Sequence, residues 1–151
     1  MGHNARVLLQ KTTNVFLCPS MKKRLLWSNS FNPSYGYNFG GTPRTEPFSR
    51  LGGNERVTPS GSATYLPVPR NAVVAPSDMM SVGDYPESDS QDGDIAFDDP
   101  HDFLSDRHKG RANVLFLDVH VEYDKQANWM KADENHRKRW NRDNLPHPET
   151  L

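Results

Sequence analysis

The chain has 151 residues, with 18 basic and 19 acidic side chains and a formal net charge of −1, so no global field draws it to nucleic acid or to an anionic membrane. Hydrophobic residues make up 34% and there are 12 prolines and 10 glycines, yet an aromatic share of 10% lifts the chain out of the disordered compositions and predicts a small core in much loop. The single cysteine, Cys18, excludes an intrachain disulfide and a Cys-based zinc knuckle, and no apolar run approaches the roughly 18 residues needed to span a bilayer.

In chain order, Val7, Leu8 and Leu9 suit a short helix, and Val15 to Leu17 suit a strand closed by Pro19, whose ring removes a ladder donor. Asn, Ser, Gly and Pro then mark turns, with Tyr35, Tyr37 and Phe39 alternating as in a short strand that buries one aromatic face. Residues 57–69 read as loop, Met79 to Gly83 as a buried strand, and residues 87–106 as an acidic loop anchored by Phe97 and Phe103. A helix is predicted over Asp133 to Trp140, before Pro146 and Pro148 end regularity. The expectation is one α+β domain over residues 1–151, a short antiparallel sheet with long loops and a short C-terminal helix, residues 143–151 forming a tail.

The strongest β signal is "RHKGRANVLFLDVHVEY", residues 107–123. As one strand it places Leu115, Leu117, Val119, Val121 and Tyr123 on one face and Asp118, His120 and Glu122 on the other. As a hairpin turning at Asp118–Val119 it sets Val114 opposite Tyr123 and Phe116 opposite Val121. A β-branched residue is a poor second residue for a tight turn, so local chemistry favours the single strand or a wider, bulged turn.

Three constellations bear on chemistry. His108, Asp118 and His120 supply metal-binding residue types, the basis of a metal-dependent hydrolase reading. No third ligand is set by spacing, with His101 and His136 available only by count; the competing reading is an aspartate bonding a turn and a histidine bonding its neighbours. Asp89, Asp92, Asp94, Asp98 and Asp99 form a candidate calcium loop, without the EF-hand spacing, against a solvated acidic loop. Trp27, Tyr35, Tyr37 and Phe39 form either core or an aromatic platform for glycan or peptide. The basic run "HRKRWNR" reads as a solvated helix face with Trp140 turned inward, and neither a phosphate loop nor a nucleophile elbow is evident.

Five segments, in order, resemble one family. They are "VFLCPS" at 15–20, "PSYGYN" at 33–38, "APSDMMSVGD" at 75–84, "RHKGRANVLFLDVHVEY" at 107–123 and "HRKRWNRDNLPHPE" at 136–149. Together they are similar to prepilin-type, processing-associated H-X9-DG domain proteins of Verrucomicrobia and related bacteria, with His108 and Asp118 keeping the nine-residue gap. The Asp-Gly of that signature is Asp118–Val119 here. Family members begin with a basic leader and a long hydrophobic helix, which residues 1–14 do not display, so the expectation is a trimmed chain or a soluble relative. The resemblance implies a pseudopilin-like head in a type IV pilus or type II secretion filament. It implies no catalytic residues, other pilin-like subunits or secretion components as partners, and a periplasmic or cell-surface location where the usual leader and helix are present. It also implies calcium as the ion pinning the acidic loop, and gives His108 and Asp118 the task of holding the last two strands and their turn, with His120 in the same structural signature.

Overall fold

The computed structural model describes residues 18–20, 34–42, 51, 54–57, 63–66, 68–86, 93–97 and 103–148. The strands are β1 (Tyr35–Asn38), β2 (Asn54–Val57), β3 (Ala63–Leu66), β4 (Met80–Asp84), β5 (Asp94–Ile95), β6 (Arg111–Phe116) and β7 (Val121–Lys125). Two single-turn helices follow, α1 (Gln126–Trp129) and α2 (Glu134–Arg137), the second running into a 3-10 turn at Lys138–Trp140. Five strands form one sheet in the order β5-β1-β4-β6-β7, and β2 and β3 pair separately. This is a small α+β fold with a mixed sheet: β1 runs antiparallel to β4 but parallel to β5, so the wholly antiparallel sheet expected from the sequence is corrected at that edge.

The strand at Met79 to Gly83 is found as β4, and the helix start at Asp133 is found with its reason. The Asp133 carboxylate accepts from the His136 backbone N–H at 3.2 Å, satisfying one of the free donors of the first turn. Residues 57–69 are not all loop, because Val57 to Asn54 pair with Ala63 to Leu66. The anticipated helix at 7–9 and strand at 15–17 lie outside the described residues.

The core lies on one face of the sheet. Met80, Val114, Ala112 and Phe116 meet Tyr85, Ile95, Phe97, Leu104, Trp129 and Trp140 there. The Val, Ile, Leu, Met and Phe side chains among them each contribute roughly 1.5–3 kcal/mol when taken fully from water. Phe97 packs edge-on against Trp140 with ring centroids 5.8 Å apart. Gly36 and Gly83 are register partners, and side chains from Ile95, Tyr85 and Leu104 occupy the space a Cβ would need. The deepest face of β1 is therefore the Gly36–Asn38 face: Tyr37 is 40% exposed, reversing the expected aromatic burial. Asn38 earns its place inside by donating to the carbonyls of Met80 (2.9 Å) and Trp140 (3.0 Å).

Residues 111–125 form a hairpin, so the single-strand reading is overturned. Leu115 pairs with Val121, Val114 with Glu122 and Asn113 with Tyr123. The Phe116 N–H donates to the His120 carbonyl at 2.9 Å and the Val119 N–H to the Phe116 carbonyl at 3.0 Å. Val119 takes φ 71°, closing a wider loop on a left-handed residue, a position that favours glycine. The basic run is corrected too: Trp140 is inward as expected, but Arg137 and Arg142 are also buried. Arg137 donates to the carbonyls of Pro146 (2.7 Å) and His147 (2.6 Å) and lies over the Phe97 ring.

Candidate functional site

Asp84 ends β4 with its side chain on the face opposite the core, one residue after the core-facing Gly83. Its carboxylate is fully buried. Oδ2 accepts from the Asn113 backbone N–H at 2.7 Å and from the Asn113 amide at 2.9 Å, while Oδ1 is buried with no partner. His108 reaches it from the turn before β6. There Lys109 (φ 61°) and Gly110 (φ 80°) are both left-handed, and the Gly110 N–H donates to the Asp106 carbonyl at 2.7 Å. Two further bonds hold this segment against the sheet: the Ser105 N–H donates to the Asp84 carbonyl at 2.7 Å, and the Tyr123 hydroxyl donates to the His108 carbonyl at 3.0 Å.

The third member is Cys18, buried and reduced, in front of the turn at Pro19–Ser20. His108 Nε2 lies 3.5 Å from Cys18 Sγ and 3.5 Å from Asp84 Oδ2. One donor atom from each of Cys18, Asp84 and His108 falls within 4.8 Å of the others. Because one imidazole nitrogen faces both partners, this is not a nucleophile–base–acid relay, in which the two ring nitrogens take different partners; the three donors converge on a point. The Tyr35 hydroxyl hydrogen-bonds Cys18, and its pKa is raised, by burial first and then by Cys18 and Asp84. Arg107 turns one nitrogen to the carbonyls of Ser34 (2.7 Å) and Tyr85, leaving Nε and Nη1 buried without partners.

A second polar cluster starts in the turn after β6 and reaches back along β7 to Glu122, which lies opposite Val114. His120 Nδ1 meets Asp118 Oδ1 at 2.5 Å and His120 Nε2 meets Glu122 Oε1 at 3.3 Å. Arg139 pairs with Glu122 at 2.6 Å and with Asp78 at 2.9 Å. The hydrogen bond to Asp118 raises the His120 pKa, and the same bond lowers that of Asp118. Burial pushes Glu122 upward, but its bonds to Arg139 and His120 outweigh that and its pKa falls. His120 stacks on Phe116 at 4.4 Å, and the Arg139 guanidinium lies 4.6 Å from the same ring. Each charged side chain here faces one of opposite sign.

The candidate set His108, Asp118 and His120 is therefore split: Asp118 and His120 meet each other, and His108 joins Cys18 and Asp84 instead. His136 pairs with Asp133 at 2.8 Å, while His101 lies outside the described residues. Of the calcium candidates only Asp94 is described, in β5 beside β1; Asp89, Asp92, Asp98 and Asp99 lie outside the described residues. Of the aromatic platform, Tyr35 and Phe39 are half-buried, Tyr37 donates its hydroxyl to the Leu51 carbonyl at 3.0 Å, and Trp27 is outside. Cys18, Asp84, Asn113 and the link between Cys18 and Tyr35 were not singled out from sequence, although each residue falls inside a segment that carries the family resemblance. No family model, curated protein or solved structure matches this chain.

Proposed function

We propose that the chain is the non-catalytic head of a subunit in a type IV pilus-like or type II secretion-like filament. The observation that carries this reading is an apolar surface on the outer face of the sheet. At alternate positions along the last hairpin, Leu117, Val119, Val121 and Tyr123 are exposed at 38%, 81%, 61% and 51%. Val121 and Tyr123 lie in β7, which among the described residues pairs only with β6 and so forms an edge, and Leu117 and Val119 lie in the turn before it. An apolar edge of this kind is normally covered or charged to prevent pairing with other chains, and here the polar residues Glu122 and Asp124 are turned to the opposite side, where Arg139 and Asn128 hold them. A neighbouring subunit is the occupant this reading assigns to the surface. The contacts among the five resemblance-bearing segments support it further: Cys18 meets His108, and Asn38 ties β1 to both β4 and Trp140.

The test is fractionation of the native host. The protein is expected in a sedimentable surface-filament fraction, and Val121→Glu, at an exposed position, should abolish its incorporation while leaving the thermal midpoint unchanged. Monomeric behaviour of the wild type in that fractionation would sink the proposal, as would wild-type incorporation of Val121→Glu.

A further inference from the structure

The geometry points to a metal site at Cys18, Asp84 and His108 that takes a single borderline divalent transition ion, zinc above all, and clamps residues 18–20 to the end of β4 and the turn before β6. The donor set is one thiol sulfur, one imidazole nitrogen and one carboxylate oxygen, the mixture that zinc accepts and that hard cations such as calcium do not. A tetrahedral ion with bonds of about 2.0–2.3 Å spaces neighbouring donors about 3.3–3.6 Å apart, and the two distances from His108 Nε2 are both 3.5 Å.

Two independent features of Asp84 support the assignment. Asn113 holds Oδ2 with two donors, the kind of outer partner that orients a ligating carboxylate. Oδ1 is buried without any partner, and the only ion-pair contact Asp84 makes among the described residues is with the His108 imidazole. A buried carboxylate with one oxygen unpaired is costly, and a cation between the three donors supplies the opposite charge. His108 retains 22% exposure while Asp84 has none, so the imidazole edge is where an ion enters and where water completes four-coordination. The Tyr35 hydroxyl against the Cys18 sulfur adds an outer partner on the thiol side.

The clamp spans 90 positions of sequence between Cys18 and His108. That is the reach a disulfide has in other small domains, here in a chain with one cysteine. None of the three ligands belongs to the outward surface of the last hairpin, although Tyr123 of that surface bonds the His108 carbonyl, and metal binding is measured independently of filament incorporation.

The experiment is titration of the full chain, reduced and stripped of metal, with Co2+ as the spectroscopic probe and Zn2+ as competitor. One cobalt per chain is expected, with thiolate-to-cobalt charge-transfer absorption that zinc displaces. Cys18→Ser should remove that absorption, His108→Ala should weaken zinc binding at least tenfold, and Asn113→Ala should weaken it by about 10–100-fold through the carboxylate it orients. Each variant is checked for native circular dichroism. If Asn113→Ala does not fold, Cys18→Ser and His108→Ala decide alone. Absence of stoichiometric cobalt, cobalt bound without thiolate absorption, or unchanged zinc affinity in Cys18→Ser would each overturn the site.

Discussion

The two ends of β6 carry polar clusters built from similar residue types, and they differ in satisfaction. At its C-terminal end, Asp118 and His120 begin a chain that runs through Glu122, opposite Val114, to Arg139 and Asp78, and in it each charge faces its opposite. Near its N-terminal end, Asp84 is buried with one oxygen unpaired beside Cys18 and His108. A polar cluster whose charges are all paired asks for nothing more. One that is buried and incomplete asks for a further component, because desolvation has been incurred without the interaction that offsets it.

This contrast can be broken in several ways, the largest expected effect first. Zinc at about a hundredfold excess over its Kd should stabilise the folded chain by ~2.7 kcal/mol, read as a raised melting midpoint that EDTA reverses and that Cys18→Ser lacks; an equal rise in Cys18→Ser would move the ion elsewhere. In metal-free protein, Asp84→Ala should cost about 1–3 kcal/mol in urea unfolding, since the two Asn113 donors lose their buried acceptor. Asp118→Ala, whose partner is exposed, should shift the midpoint much less, and the reverse order would erase the distinction between the two ends.

Val119→Gly should stabilise the chain by about 0.5–1 kcal/mol. Relief of a β-branched residue held at φ 71° is worth ~1–2 kcal/mol, and the greater freedom of glycine when unfolded offsets part of that. A destabilised Val119→Gly in chemical denaturation would mean that the loop does not hold valine in the left-handed region. The smallest effect is electrostatic. His120 should titrate above its ordinary 6.5 and Asp118 below its ordinary 3.8. A raised histidine pKa stabilises fully below 6.5 and is lost as pH rises through the raised value; a lowered aspartate pKa stabilises fully above 3.8 and is lost as pH falls through the lowered one. The contribution of the pair is therefore complete between those two ordinary values and fades outside them. NMR titration of His120 checks this, and Asp118→Asn should return it toward 6.5.

The hairpin shows why some of the fold was not legible. Leu115 faces Val121 across the ladder, an even separation, so odd-numbered residues stay on one face on both sides of the turn. The period-two pattern therefore runs unbroken from Leu115 to Tyr123 whether the chain turns or not, and Val119, where a glycine would have signalled the reversal, conceals it. Amphipathicity misled in the same place, because Val121 and Tyr123 face out while Glu122 faces the side where Arg139 waits. The helix start at Asp133 and the buried strand around Met80 were legible because their causes are local: the chemistry of a helix start, and a short apolar run between turns.

The sequence by itself determined the small core, the buried strand around Met80, the helix start at Asp133 and the exclusion of an intrachain disulfide, because composition and short-range chemistry carry those facts. Only the tertiary structure decided which polar residues would meet. His108 could be matched to Asp118 by counting, but β6 runs between them and holds them at its two ends. Cys18 and Asp84, far off in sequence, are brought to His108 by sheet register and by the left-handed turn at Lys109–Gly110. Spacing along a chain specifies neighbours on one element; a site assembled from three segments depends on how those elements pair.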